Sequence, residues 1–167
     1  MKTENTLQKG KIRVFNTSNP KPITALAVQV LGEENSKAII LDASTRINPY
    51  WIVRICKKHK VNKRDILQRM IVARGFTAYQ LVDLIKKVEK LVKNEDVIFL
   101  GIIGLERQFL DDDLENEEGN FLRSNCIDKI KKIIRDNHIY CVIGVENTKI
   151  LGKRNRGEFY GEECAHI

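Results

Sequence analysis

The chain is poor in the residues that punctuate and staple small folds: three prolines and ten glycines in 167 residues, and four cysteines with no close pair among them. Cys56, Cys126, Cys141 and Cys164 lack the short paired spacings of zinc sites and disulfide scaffolds, and His59, His138 and His166 are just as scattered. The reading is free thiols in a reducing compartment, with no metal and no bound cofactor. No apolar run approaches the roughly 20 residues that a bilayer span needs. The polar opening "MKTENTLQKGK" offers no apolar segment for a signal peptide. Internal repeats and low-complexity linkers are absent too. These absences predict a cytoplasmic protein without a membrane partner, folded as one domain over residues 1–167 with residues 1–9 as a flexible N-terminal segment.

What is present is a chain long enough to bury a core and a formal net charge of +7 with an isoelectric point near 9.3. Such an excess admits an electrostatic partner such as nucleic acid without requiring one, because lysine-rich surfaces also mark thermophile proteins.

Strands and helices alternate. "KIRVF" (residues 11–15) reads as a strand and "PITALAVQVL" (22–31) as a helix with proline in its first turn. Residues 37–42 are a second strand and 49–59 a helix with Arg54, Lys57 and Lys58 on its polar face. The helical segment "NKRDILQR" and a brief strand over 70–73 follow. A long helix then begins at Thr77, with Leu81, Leu84, Ile85, Val88, Leu91 and Val92 in one stripe. "VIFLGII" (97–103) is short and continuously apolar, which predicts a strand covered on both faces in mid-sheet. The acidic stretch "ERQFLDDDLENEEGN" breaks the pattern before a helix over 122–135 and a buried strand over 139–145. This alternation predicts right-handed β–α–β crossovers and a mostly parallel central sheet between two helical layers.

Three stretches carry candidate chemistry. The loop after the first strand, "NTSNPKPIT", stands where a phosphate cradle would need glycines, yet it has none, and Pro20 and Pro22 each remove an N–H donor. Lys21 there reads first as an exposed lysine and second as an anion contact. Asp111, Asp112 and Asp113 read as a solvated acidic run before a metal site. The C-terminal run "KILGKRNRGEFYGEE" gathers Lys149, Lys153, Arg154 and Arg156 beside Phe159 and Tyr160, cations for phosphates with aromatics for base stacking. Soluble surface is the competing reading of that run.

The order and spacing of several stretches resemble the RecA/RadA recombinase family, its archaeal and eukaryotic branch in particular, over residues Gly10 to Ile167. The family's D-T-E-G-T-F-R-P-E-R-I is similar to "LDASTRINPYWI" (Leu41 to Ile52), and its A-R-A-F to the start of "VARGFTAYQL" (Val72 to Leu81), with "VNKRDILQR" as the insert between. "GVENTK" (Gly144 to Lys149) resembles the V-T-N-Q-V strand end, and the terminal "EECAHI" resembles the helix after the DNA-contacting loop. The resemblance implies a three-layer, RecA-like P-loop NTPase fold, C-terminally truncated where the family continues into further strands.

Carried over residue by residue, it implies an engine without parts. Asp42 matches the strand-end aspartate, but the catalytic glutamate falls on Ser44, whose hydroxyl cannot serve as that base near neutral pH. The phosphate-binding lysine and threonine fall on Lys21 and Thr24 in a shortened loop. The magnesium aspartate falls at Leu100 or Gly101, and the sensor asparagine on Asn147 with Thr148 beside it. Neither the family's helical DNA-binding domain nor its F-x-x-A polymerisation motif is found in the N-terminal segment. The expectation is an ATPase-dead paralogue, accessory or regulatory in DNA recombination or repair, with no catalytic residue. Its implied partners are single-stranded DNA, a RadA-type recombinase, or a second copy of the chain. An interaction scaffold unrelated to DNA and a residual nucleotide-binding protein stay open beside it.

Overall fold

The computed structural model describes residues 7–110, 116–146, 151 and, as backbone, 159–163. Among these, six strands form one sheet: β1 (Ile12–Phe15), β2 (Lys37–Asp42), β3 (Met70–Arg74), β4 (Val97–Ile103), β5 (Tyr140–Gly144) and β6 (Phe159–Glu163), in the order β3-β2-β4-β5-β1-β6. Every pairing is parallel. Five α-helices connect them: α1 (Pro20–Glu33), α2 (Pro49–Lys58), α3 (Lys63–Arg69), α4 (Ala78–Asn94) and α5 (Asn116–Asn137). No described helix is long and apolar enough to cross a membrane.

Side chains that alternate along the strands feed two cores. Ile39, Leu41, Leu100, Ile102, Cys141 and Ile143 join Leu81, Ile85 and Val88 of α4 and Ile127, Ile130 and Ile134 of α5. Ala38, Ile40, Phe99, Ile103 and Val142 join Ile23, Ala27 and Leu31 of α1, Ile52 and Cys56 of α2 and Ile66 of α3. The two layers follow from chain direction. The β1-to-β2 and β2-to-β3 connections run one way along the sheet and the β3-to-β4 and β4-to-β5 connections run the other. A single crossover hand therefore puts α1 to α3 on one face and α4 and α5 on the opposite face. This is the three-layer α/β architecture with β4 inside the sheet that the alternation predicts.

Several boundaries differ from the sequence reading. Helix α1 starts at Pro20 rather than Pro22, because the Asn19 side chain accepts from the Lys21 N–H and caps it there. Helix α5 starts at Asn116 rather than Leu122, inside the acidic stretch read as a break; Glu117 and Glu118 fall in its first turn, where the helix dipole favours carboxylates. Glu162 and Glu163, read as a helix start, belong to edge strand β6, as do Phe159 and Tyr160, which pair with Ile12 and Arg13 of β1. Leu7, within the expected N-terminal tail, packs partly buried against the α1-side core. Cys56, Cys126 and Cys141 are free and buried, and burial pushes the Cys126 thiol up to about 11.

Helix α1 lies close on the sheet because β4 and β5 have no side chain at two points beneath it. A Cβ at Gly101 would meet Ile23 Cγ2 at 2.7 Å, and one at Gly144 would meet the Thr17 carbonyl oxygen at 2.6 Å. Gly101→Ala is expected to cost about 1–3 kcal/mol of stability by overpacking. Gly144→Ala should cost more, since backbone rather than a side chain must give way. Urea unfolding midpoints of both variants against the wild type check this order.

Candidate functional site

Ligands of parallel α/β sheets sit beyond the carboxyl ends of the strands, and Asp42 and Ser44 lie at such an end. Strand β2 ends on Asp42, which is fully buried. Its Oδ1 accepts from the Ser44 amide at 3.1 Å and the Ser44 hydroxyl at 2.7 Å, and its Oδ2 from the Ile47 amide at 2.8 Å. Arg74 Nε stands 3.8 Å from the same Oδ2 while the Arg74 guanidinium donates to the Ile47 carbonyl at 2.8 Å. The carboxylate thus folds the loop between β2 and α2, including Thr45 in a left-handed conformation at φ 57°. An acid so engaged is a structural anchor.

The loop between β1 and α1 is equally committed. Pro20 and Pro22 have no N–H, the Lys21 N–H goes to Asn19 Oδ1 at 3.0 Å, and the Asn19 N–H goes to Thr17 Oγ1 at 3.0 Å. Residues 19 to 22 therefore present no free amide to an anion. Thr24 is helical and buried, and its hydroxyl donates back to the Pro20 carbonyl at 2.7 Å. Lys21, expected in the loop, lies on α1, as does Thr24, which the reading of 22–31 as a helix already placed there. Leu100 and Gly101, where the magnesium ligand would fall, are buried inside β4.

Between these loops the chain bonds to itself. The buried Ser18 hydroxyl donates to Glu146 and accepts from Arg46 Nη1 at 3.2 Å. The Glu146 amide donates to Glu106 Oε1 at 2.7 Å, and Gln108 ties the Ala43 and Gly75 carbonyls together at 3.0 and 3.2 Å. Glu106 Oε2 is buried without a hydrogen-bond partner among the described residues. Asn147, Lys149, Lys153, Arg154 and Arg156 lie outside the described residues, as do Asp111, Asp112 and Asp113, and only the backbone of Phe159 and Tyr160 is described.

A second place escaped the reading of the sequence. Helices α1 and α2 border a cavity of about 230 Å³, lined by Lys21, Trp51, Arg54, Lys58 and His59 with Ala25 and Ile55 as its apolar part. Lys21 Nζ stands 5.0 Å from the centroid of the Trp51 ring, a cation–π contact. The signal for it was available. Seven of the 29 Lys and Arg residues lie between Ala43 and Arg64 and none of the 22 Asp and Glu residues does, which leaves the rest of the chain balanced at 22 against 22. The net charge of +7 is the charge of this one segment.

Compared with known proteins, the chain matches no family model and no curated protein.

Ser44 is buried and its hydroxyl touches Asp42, so Ser44→Glu sets a second carboxylate beside the first where water cannot screen it. The substitution is expected to destabilise the fold by about 3 kcal/mol or more, and Ser44→Ala by about 1 kcal/mol. Denaturation of the two variants checks it: a Glu variant as stable as wild type would mean that the loop opens at no cost.

Proposed function

We propose that the chain is a non-hydrolysing relative of the RecA/RadA recombinases that acts in recombination or repair by binding, with single-stranded DNA, a RadA-type recombinase, or both as its partners. The observation that carries this reading is the start of α1, where proline and the Asn19 cap remove the amides that would hold a triphosphate. Phosphoryl transfer depends on positioning and charge stabilisation. Residues 19 to 22 without a free amide, a strand-end acid engaged by its own loop, and Leu100 or Gly101 at the metal-ligand position all support this reading. The RecA-like three-layer architecture supports the kinship, and the concentrated positive charge supports a polyanionic ligand.

A dimerising scaffold is the second reading, favoured by large apolar side chains left in solvent. Phe76, Tyr79, Leu110 and Phe121 are exposed, and the Tyr79 hydroxyl bonds Glu118, bringing the starts of α4 and α5 together.

Two measurements test the proposal. Calorimetry is expected to give no micromolar, magnesium-dependent ATP binding; such binding would restore the residual nucleotide-binding reading. Fluorescence polarisation of a labelled single strand is expected to show binding that weakens with salt, with a log–log slope of about −2 if three phosphates are neutralised. Absence of binding at low salt, together with a dimer in light scattering, would favour the scaffold.

A further inference from the structure

We propose that the groove between α1 and α2 is the nucleic-acid site, taking one nucleotide unit of a single strand with its base on Trp51 and its flanking phosphates on Arg54, Lys58 and Lys21. This rests on the reading of the protein as a single-strand binder and assigns that binding to a place other than the C-terminal basic run.

Three independent features converge on the groove. The first is shape and lining: a cavity of about 230 Å³ with an apolar part, Ala25 and Ile55, and a cationic part, Lys21, Arg54, Lys58 and His59, without a carboxylate in its lining. A nucleotide has the same two-part character, a flat base and an anionic backbone. The second is Trp51. Its partly exposed indole carries the Lys21 ammonium over the ring, so the π face already receives a cation and is covered by a flexible side chain. A base can take that face while the displaced ammonium, on a flexible stem, turns to the incoming phosphate. Base–aromatic stacking tolerates any sequence because every base has a π face.

The third feature is the field. With all the net charge between Ala43 and Arg64, the surface around α2 and α3 is where a polyanion is drawn. Arg54, Lys57, Lys58, Lys60, Lys63 and Arg64 are all exposed, and the first acid after them, Asp65, is held by Arg69. A strand leaving the groove thus continues over further cations, whereas a free mononucleotide uses only the groove. The C-terminal run, by contrast, mixes its cations with Glu158, Glu162 and Glu163.

Trp51 is the chain's one tryptophan, so its fluorescence reports on the groove alone. The experiment titrates the full chain with an oligothymidine of about 12 nucleotides, following Trp51 emission and, with a labelled oligonucleotide, polarisation. Saturating quenching at the same midpoint in both signals is expected, with the midpoint rising with salt. Arg54→Glu with Lys58→Glu is expected to weaken binding about tenfold or more. Trp51→Ala should weaken it about tenfold, and Trp51→Phe should retain most of the affinity. Arg54→Ala with Lys58→Ala, a milder change at the same exposed positions, serves if charge reversal unfolds the chain in a thermal melt. Binding by polarisation with silent Trp51 emission and unchanged affinity in the Arg54 and Lys58 variants overturns the groove while leaving DNA binding intact. No polarisation change at low salt overturns the DNA reading and the groove with it. Thymidine monophosphate is expected to quench far more weakly than the oligonucleotide; equal affinity would make the ligand a free nucleotide and overturn the strand.

Discussion

A carboxylate taken wholly out of water must be repaid in hydrogen bonds, and Asp42 is repaid by the loop that follows it. Three donors within five residues, the Ser44 amide and hydroxyl and the Ile47 amide, converge on its two oxygens. Their convergence decides where the chain turns, and so where Asn48 caps α2 and how that helix is aimed at α1. Trp51 and Arg54 inherit their positions from this turn. The surface chemistry of the α1–α2 groove thus depends on a buried acid bonded to its own loop.

The same economy explains the carboxyl edge of the sheet. In a parallel α/β sheet this edge is normally the open end, with backbone donors left over for a guest. Here Asn19 and Thr17 satisfy the start of α1, Ser18 joins Arg46 to Glu146, and Glu106 receives the Glu146 amide. Polar groups along this edge bond one another, while Arg54, Lys57, Lys58, Lys63 and Arg64 stand exposed along α2 and α3.

Periodicity made the frame legible. The apolar run of β4 and the stripe of α4 each appear where the sequence places them, because burial on both faces or along one stripe imposes a pattern on consecutive residues. Strand β6 was illegible: "FYGEE" has no alternation, and it is a strand because β1 offers it an edge. The start of α5 was hidden by acids that signal solvent in a loop and stability in a first turn. At the site, the place of Asp42 at a strand end could be read, but its task could not, since the amide of Ile47 is a donor that no side-chain pattern announces. The acid-free run between Ala43 and Arg64 was visible throughout.

The order of the strands sets a schedule for the ribosome. Of the six strands β1 is made before the others, yet among the described residues its neighbours in the sheet are β5 and β6, which are made after β2, β3 and β4. Strands β2, β3 and β4 can assemble beforehand, because each finds a partner within the first part of the chain. Through that interval β1 emerges as an apolar segment with both edges unpaired, the condition that invites wrong pairing and recruits chaperones. Pairing of β1 with β5 is therefore a long-range event, joining Ile12 to Cys141 and Phe15 to Gly144, the class of contact that carries the larger loop-closure cost.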